Sequence, residues 1–560
     1  MNAPPNWWGG PPGGYPLGPL LGPPTPPSAS WIVNVPRGIL LAALTVHAAA
    51  ACLIRGTVVD AATGTPLAGA RVLVGPRGFA KPNILRLSDA QGAFCFDRLE
   101  TGKYELSALR AGYLNYNYGS RSDSAAGIAL NVDGVTETPA LTLKMTRSAS
   151  IAGTVTDANG ELLENAHITL WRKVWDSSMH RWNSDELSPI VTDDRGSFRF
   201  PRLAPGNYYL SAEERDDPGG LDEKGLPVRA TGPATYYAST FSFDRATAIP
   251  LNPGQDANVA LIIPARAEGR HLSVRLAPGL DLGTSQAVHL TAIGGTQQRY
   301  SAKLQEDGTA SWRDMPPGKY SLDTNLPAAR AVAQVDLTDG DVDGLLLSPQ
   351  PERQLHITVT GDPADLKQLG LQMRDTETGE LAGASERTAN GKYLLAGLAP
   401  GRYWLEPSGK EKKGYLTNLT VDGHAQQPDG LLDLRAGSPT SSEVAFGTRF
   451  AQIAGRVEHA EGLATTIVWV DEERSKMEEI GDSVDAEPAG QFQIEKMPPG
   501  KYRLFAIEGF DDDLWGSPEL AALLRQKSVA VELGEDERKQ VILPLITAAE
   551  WDQALRKLGM

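Results

Sequence analysis

Along this chain apolar residues recur at every second position in short runs, and turn residues close each run. Ile54-Arg55-Gly56-Thr57-Val58-Val59-Asp60, Ile151-Ala152-Gly153-Thr154-Val155-Thr156-Asp157 and Ile453-Ala454-Gly455-Arg456-Val457 alternate apolar with polar or small residues, as do Leu272-Ser273-Val274-Arg275-Leu276 and Leu355-His356-Ile357-Thr358-Val359. A period of two places one set of side chains on one face of a strand, so each run predicts a half-buried strand. Turn clusters such as Thr63-Gly64-Thr65-Pro66 and Asn159-Gly160 follow the first two, and each leads into another alternating run. Short strands punctuated this often predict an all-β chain.

One register is met five times without a gap. It begins as Gly92-x-Phe94-x-Phe96-x-x-Leu99-x-Thr101-Gly102-Lys103-Tyr104-x-Leu106 and returns as Gly196-x-Phe198-x-Phe200-x-x-Leu203-x-Pro205-Gly206-Asn207-Tyr208-x-Leu210. The later copies are Gly308-x-Ala310-x-Trp312-x-x-Met315-x-Pro317-Gly318-Lys319-Tyr320-x-Leu322, Gly391-x-Tyr393-x-Leu395-x-x-Leu398-x-Pro400-Gly401-Arg402-Tyr403-x-Leu405 and Gly490-x-Phe492-x-Ile494-x-x-Met497-x-Pro499-Gly500-Lys501-Tyr502-x-Leu504. The two apolar residues spaced by two predict a strand. Proline with a preset φ, followed by glycine, predicts a type II turn at Gly206, Gly318, Gly401 and Gly500, with Thr101-Gly102 in the same place. The Tyr-x-Leu that follows predicts an antiparallel neighbour over the same core. Successive register glycines lie 83 to 112 residues apart, the size of a seven-stranded sandwich of about 100 residues. The expected architecture is therefore five tandem Greek-key β-sandwich modules in a rod, at 52–146, 147–266, 267–350, 351–436 and 450–546.

The segments Gly56-Thr57-Val58-Val59-Asp60, Gly64-Thr65-Pro66-Leu67-Ala68-Gly69-Ala70-Arg71-Val72 and Asp89-Ala90-Gln91-Gly92-Ala93-Phe94, with the Gly102-Lys103-Tyr104 corner, resemble the carboxypeptidase regulatory-like domain, and Gly153 through Tyr208 repeats them. That resemblance implies a transthyretin-like (prealbumin-like), Ig-like sandwich, a shape shared with some starch-binding and collagen-adhesin modules. The third to fifth copies keep the Pro-Gly-x-Tyr half and lose much of the first half. Tandem arrays of this kind resemble exported proteins of acidobacteria. In metallocarboxypeptidases the domain is an appendage to a zinc enzyme that begins its ligand set with His-x-x-Glu. None of the eight histidines here has Glu three residues on or a second His within five residues, so no catalytic or metal-ligating set is assigned and no cofactor is expected.

Charge and composition narrow the partners. A net charge of −16 without a compensating Lys/Arg cluster argues against nucleic acid. The 58 glycines and 40 prolines divide between turns and a leader, since residues 1–36 carry no charge and are dense in both. Arg37, the apolar run from Ile39 to Val46 and the small residues Ala48 to Ala51 then read as a secretory signal peptide. A retained membrane anchor is the alternative for this 1–51 segment, and would be the chain's only membrane contact. An initiation site at Val33 or Val35 would give the signal an ordinary length. With two cysteines in the chain, Cys52 has two readings: a lipidated residue after Ala51, or the preferred disulfide with Cys95 in an oxidising compartment.

The most distinctive loop runs from Trp171 through Trp175 and His180 to Trp182. Its tryptophans could form a platform for a sugar ring; alternatively Trp171 ends a core strand while Trp175 and Trp182 pair across a hairpin, which is the preferred reading. Tyr236 and Tyr237 form a second aromatic group, and with Tyr113, Tyr116 and Tyr118 they suit packing at joints between modules equally well. The acidic stretch from Asp471 to Asp485 and the cluster Asp511-Asp512-Asp513 lack a calcium-loop spacing and read as solvated faces. Ser517-Pro518-Glu519 with Arg525 predicts a short capped helix, and a C-terminal helix is expected over 547–560, with Trp551, Leu555 and Leu558 on one stripe. The function expected is a non-enzymatic, exported cell-envelope protein serving as a binding or structural module in the periplasm, at the cell surface or outside the cell. Its partners would be polysaccharide or envelope protein. The alternative is carbohydrate recognition through Trp175, Trp182, Tyr236 and Tyr237.

Overall fold

The computed structural model describes residues 52–560 except 78–82, 121–126, 177–180, 214–233, 264–268, 278–286, 294–298, 327–328, 349, 361–369, 377–380, 388–391, 409–413, 427–429 and 473–482. The 1–51 leader, with its signal, anchor and initiation readings, lies outside them, as does His180. One pairing scheme recurs five times. The opening strand Ile54–Asp60 lies between Ala93–Phe96, antiparallel, and Leu141–Met145, parallel. A second sheet places Arg71–Pro76 between Ile84–Leu87 and Gly102–Leu109, and the last of these also takes Leu130–Val132. Side chains alternating inward from both sheets, among them Ile54, Val58, Val72, Phe94, Phe96, Leu106, Leu141 and Leu143, form core 1. The first three-stranded sheet is repeated by Ala149–Thr156 with Ser197–Leu203 and Asp256–Ile262 in core 2, and by Arg270–Leu276 with Thr309–Met315 and Val342–Leu347 in core 3. Arg353–Thr360 with Tyr393–Leu398 and Ser442–Gly447 repeats it in core 4, and Ala451–Glu458 with Gln491–Met497 and Arg538–Ile546 in core 5.

A glycine in the opening strand of cores 1, 2 and 5 allows the tightest approach in the sheet. A Cβ on Gly56 would sit 2.1 Å from the Leu141 carbonyl oxygen and 2.9 Å from the Phe94 ring. Gly153 and Gly455 face Phe198 and Phe492 in the same way. In core 3 the paired positions are Val274 and Ala310, so the volume has moved from one strand to the other.

The corner between the register strand and its successor is held by tyrosine, and it differs from the expected type II turn. φ is 150° at Gly206 and 157° at Gly500, and Gly102, Gly318 and Gly401 have no positive φ. The tyrosine two residues after the glycine turns back, and its hydroxyl donates to the carbonyl four residues upstream. The bonds are Tyr104 to Glu100 at 3.0 Å, Tyr208 to Ala204 at 2.9 Å, Tyr320 to Pro316 at 2.6 Å, Tyr403 to Ala399 at 2.6 Å and Tyr502 to Pro498 at 2.8 Å. At four of the five corners the ring passes over the glycine, where a Cβ would meet it at 3.1 to 3.8 Å. This is the tyrosine corner of β-sandwiches, and it explains why the Gly-x-Tyr half persists where the rest of the pattern fades.

Core 5 carries a second apolar layer. Helix α1, Pro518–Leu524, is capped by the Ser517 side chain, and helix α2, Ala548–Lys557, opens with a Thr547/Glu550 capping box. They bury Leu520, Leu524, Trp551 and Leu555 against Val468, Phe505, Ile507 and Trp515 on the outer face of the core 5 sheet. Among the described residues no helix is long and apolar enough to cross a membrane.

A rod in which each module touches only its sequence neighbours is not what forms. Ala464 of core 5 belongs to the buried cluster of core 1, and the Thr142 amide donates to the Gly462 carbonyl at 2.9 Å. Packing against a non-neighbour covers the outer edge of the strand Leu141–Met145, whose backbone groups would otherwise be left unpaired.

Candidate functional site

Some of the charged and aromatic side chains singled out by sequence, Tyr113, Trp175 and Asp513 among them, lie at joints between cores. At the joint of cores 1 and 2, Asp60 ends the opening strand with 1% of its surface exposed. Its carboxylate accepts from Arg147 Nε at 2.8 Å, the Tyr113 hydroxyl at 3.0 Å and the backbone amides of Ala62 and Thr63. Burial works to raise the pKa of Asp60, but these donors outweigh it and bring it to about 2. Arg110 and Arg147 both lie over the Tyr113 ring, at 5.7 and 5.6 Å from its centroid. Tyr113 thus packs the joint. Tyr118 is buried inside core 1, and Tyr116 packs partly buried against it.

The tryptophan loop is an antiparallel hairpin, His167–Asp176 with Arg181–Val191, and Trp175 stands opposite Trp182 in its register. The side chain of Trp182 lies outside the described residues. Trp171 donates from Nε1 to Ser211 at 2.9 Å and meets Phe243 edge to face. Trp175 is only 9% exposed. Its indole lies against Gly516 of core 5, where a Cβ would be 2.5 Å from the ring, so only glycine permits this approach. Three residue pairs further in, Arg172 forms an ion pair with Asp513 and lies 3.7 Å from Asp185. Burial works against the charge on Arg172, while Asp511, Asp513 and Asp185 more than offset it and hold its pKa above the ordinary value. The cluster Asp511-Asp512-Asp513 could present three carboxylates to a cation. Here Asp511 instead caps a single 3-10 turn and Asp513 faces the guanidinium.

Tyr236 is also buried, in edge-to-face contact with Phe243 at 5.6 Å, and Tyr237 packs partly buried against core 2. Across the joint of cores 2 and 3, burial and the nearby Tyr320, Tyr236 and Glu213 push the Tyr300 phenol up. Trp175 and Tyr236 therefore cannot act as an open sugar platform, because neighbouring cores and loops already cover their rings. Cys52 and Cys95 are joined in a disulfide that ties the chain two residues before the opening strand to the register strand. Of the acidic stretch, Asp471, Glu472 and Asp485 are described; Glu472 accepts from Arg503 and Arg525, and Asp485 accepts from the Thr466 hydroxyl.

Sequence reasoning missed the joint of cores 1 and 5. Glu508, 5% exposed, ion-pairs with Lys144 and accepts from the Ala548 amide at the start of α2 at 3.1 Å. A Cβ on Gly462 would lie 2.0 Å from the Ala140 carbonyl oxygen, and Asn207 of core 2 donates to the Gly559 carbonyl at 2.7 Å. No local pattern marks these residues, since their partners are more than three hundred positions away. What the gathered polar groups can do chemically is hold surfaces together: Asp60 and Glu508 each face a cation and a backbone amide, and Asp513 faces the Arg172 guanidinium.

Colossin-A of Dictyostelium discoideum is 25% identical over 349 residues, a match covering 54% of this chain and 3% of that protein, so the chain spans a small part of that relative's length. Among solved structures, the Bacillus anthracis TIE protein is 11% identical over 68% of both chains with a TM-score of 0.15. A streptococcal ancillary pilin is 13% identical over 49% of this chain and 98% of its own, at a TM-score of 0.19. The minor pilin GBS52 of Streptococcus agalactiae is 12% identical over 32% of this chain and 96% of its own, also at 0.19. The sequence model of the carboxypeptidase regulatory-like domain matches residues 53–144 and 150–216. The two matched stretches fall in cores 1 and 2, which share a strand order and a tyrosine corner.

Proposed function

We propose that this is a non-enzymatic, exported protein of the cell envelope that works as a structural scaffold with a binding role. The observation that carries the reading is the use made of its polar groups. Asp60, Arg147, Arg172, Lys144, Glu508 and Asp513 are all engaged in fastening one core to another, which is the chemistry of a scaffold. The Cys52–Cys95 disulfide supports an oxidising destination. Module limits of 52–146, 147–266, 267–350, 351–436 and 450–546 belong to the same proposal.

Subcellular fractionation with thiol labelling tests it. The chain is expected in the envelope or the medium with both cysteines oxidised, and a reduced chain in the cytosol would overturn the reading. Limited proteolysis is expected to cut first near the proposed module limits.

A further inference from the structure

We infer that cores 1 and 2 together form a docking surface whose occupant is this chain's own residues 449–560, held firmly enough that the covalent link from core 4 is not needed to keep them in place. Three independent sets of contacts converge on that segment. From core 1, the edge strand Leu141–Met145 offers the Thr142 amide to Gly462 and the Lys144 ammonium to Glu508, and Ala464 enters the core 1 cluster. From the core 2 hairpin, Arg172 reaches Asp513 and Trp175 covers Gly516. From the core 2 corner, Asn207 bonds the Gly559 carbonyl. The charges are complementary in one direction, with cations on cores 1 and 2 and carboxylates on the docked segment. The close approach at Gly462 and Gly516 adds shape fit, because any side chain there would strike Ala140 or Trp175.

The link to core 4 is thin by comparison. Tyr415 meets the Phe450 ring at 5.2 Å and donates to the Arg449 carbonyl at 3.3 Å, and both partners are the first two residues of the docked segment. If neighbour contacts alone held core 5, cutting the chain before Arg449 would release it. With the docking surface, cutting changes nothing.

The experiment inserts a protease recognition sequence between Thr448 and Arg449 of the full chain, cleaves it, and follows the fragments by sedimentation velocity at micromolar concentration. The two fragments are expected to sediment together as one species near the mass of the intact chain. The reversal Lys144→Glu with Arg172→Asp is expected to weaken their association at least tenfold, while the uncut variant keeps the circular dichroism of the wild type. Adding Asp513→Arg to Arg172→Asp alone should restore the association by re-forming that pair in reverse. Separation of the cleaved wild-type fragments would overturn the inference, and so would reversed charges that leave the association unchanged.

Discussion

Replacing Tyr320 with phenylalanine isolates the tyrosine corner from the packing around it. Tyr320 is 2% exposed, and its hydroxyl donates to the Pro316 carbonyl at 2.6 Å. Phenylalanine keeps the ring over Gly318 and removes only the donor, leaving the part-buried Pro316 carbonyl without that partner. A lost buried hydrogen bond of this kind costs about 1–3 kcal/mol. Tyr320→Ala also removes the ring from a cluster with Leu290, Trp312 and Leu322, a change expected to cost about 3–5 kcal/mol. Hydrogen exchange read by mass spectrometry is the right assay, because it reports the opening free energy of each core separately. At 25 °C a loss of 1–2 kcal/mol lowers protection roughly 5- to 30-fold, and the strands Arg270–Leu276 and Thr309–Met315 should show it. Protection in core 1 should hold, since no contact described here links it to Tyr320. Two results would refute the reasoning: a Tyr320→Phe protein indistinguishable from wild type, or one as damaged as Tyr320→Ala.

Other expectations follow from the same contacts. The Cys52–Cys95 disulfide closes a separation of 43 residues, so replacing both cysteines with serine should destabilise core 1 by about 2–4 kcal/mol, measured as faster exchange in Ile54–Asp60. The pKa of Asp60 is lowered from 3.8 to about 2, so its ion pair stabilises the joint fully above about pH 4 and is lost as the pH falls through 2. That amounts to about 2 kcal/mol, and an Asp60→Asn protein should lack this component in an acid titration; superimposable acid curves would contradict the assignment. Gly56→Ala should disrupt core 1, because the new methyl has no room beside the Leu141 carbonyl, whereas alanine at Gly64, with open space around it, should cost only the strain of a positive φ, about 1 kcal/mol. Thermal melts of the two variants would separate them. Trp551→Ala should unfasten α1 and α2 at a cost of about 3–5 kcal/mol, seen as loss of near-ultraviolet dichroism from the Trp515 and Trp551 pair.

Local pattern carried the fold a long way because sandwiches write their strands in a period of two. Phe94 and Phe96, or Phe492 and Ile494, show their buried face directly in the sequence. Ser517 and Thr547 announce helices in the same way, through the chemistry of the cap. The corner was misread at one point: Pro-Gly suggested a type II turn with φ near about +80° at the glycine, but φ is 150° at Gly206 and 157° at Gly500, and the tyrosine, which looked like an ordinary inward strand residue, bonds back to the carbonyl four residues upstream. Compensation obscured core 3, where Val274 opposite Ala310 replaces the Gly–Phe pair of core 1. The joints were invisible for a different reason. Arg172 and Asp513, or Lys144 and Glu508, are surface residues of ordinary kind in their own cores, and only the three-dimensional return of core 5 gives them partners. The aromatic loop that suggested a sugar platform is part of that return, with Trp175 spent on packing.

The return of core 5 also fixes how the chain would respond to tension. Traction applied at residues 52 and 560 enters core 1 and leaves through core 5, two bodies that already touch at Lys144 and Glu508. The contacts at that joint would be sheared first, while cores 3 and 4 stand outside the path of the force. Once the joint yields, the stretch from 267 to 447 comes into line, and if its cores then unravel it can pay out about 600 Å at roughly 3.3–3.6 Å per residue. A molecule built this way is short at rest and has slack in reserve, released at a threshold set by a few ion pairs and one buried tryptophan.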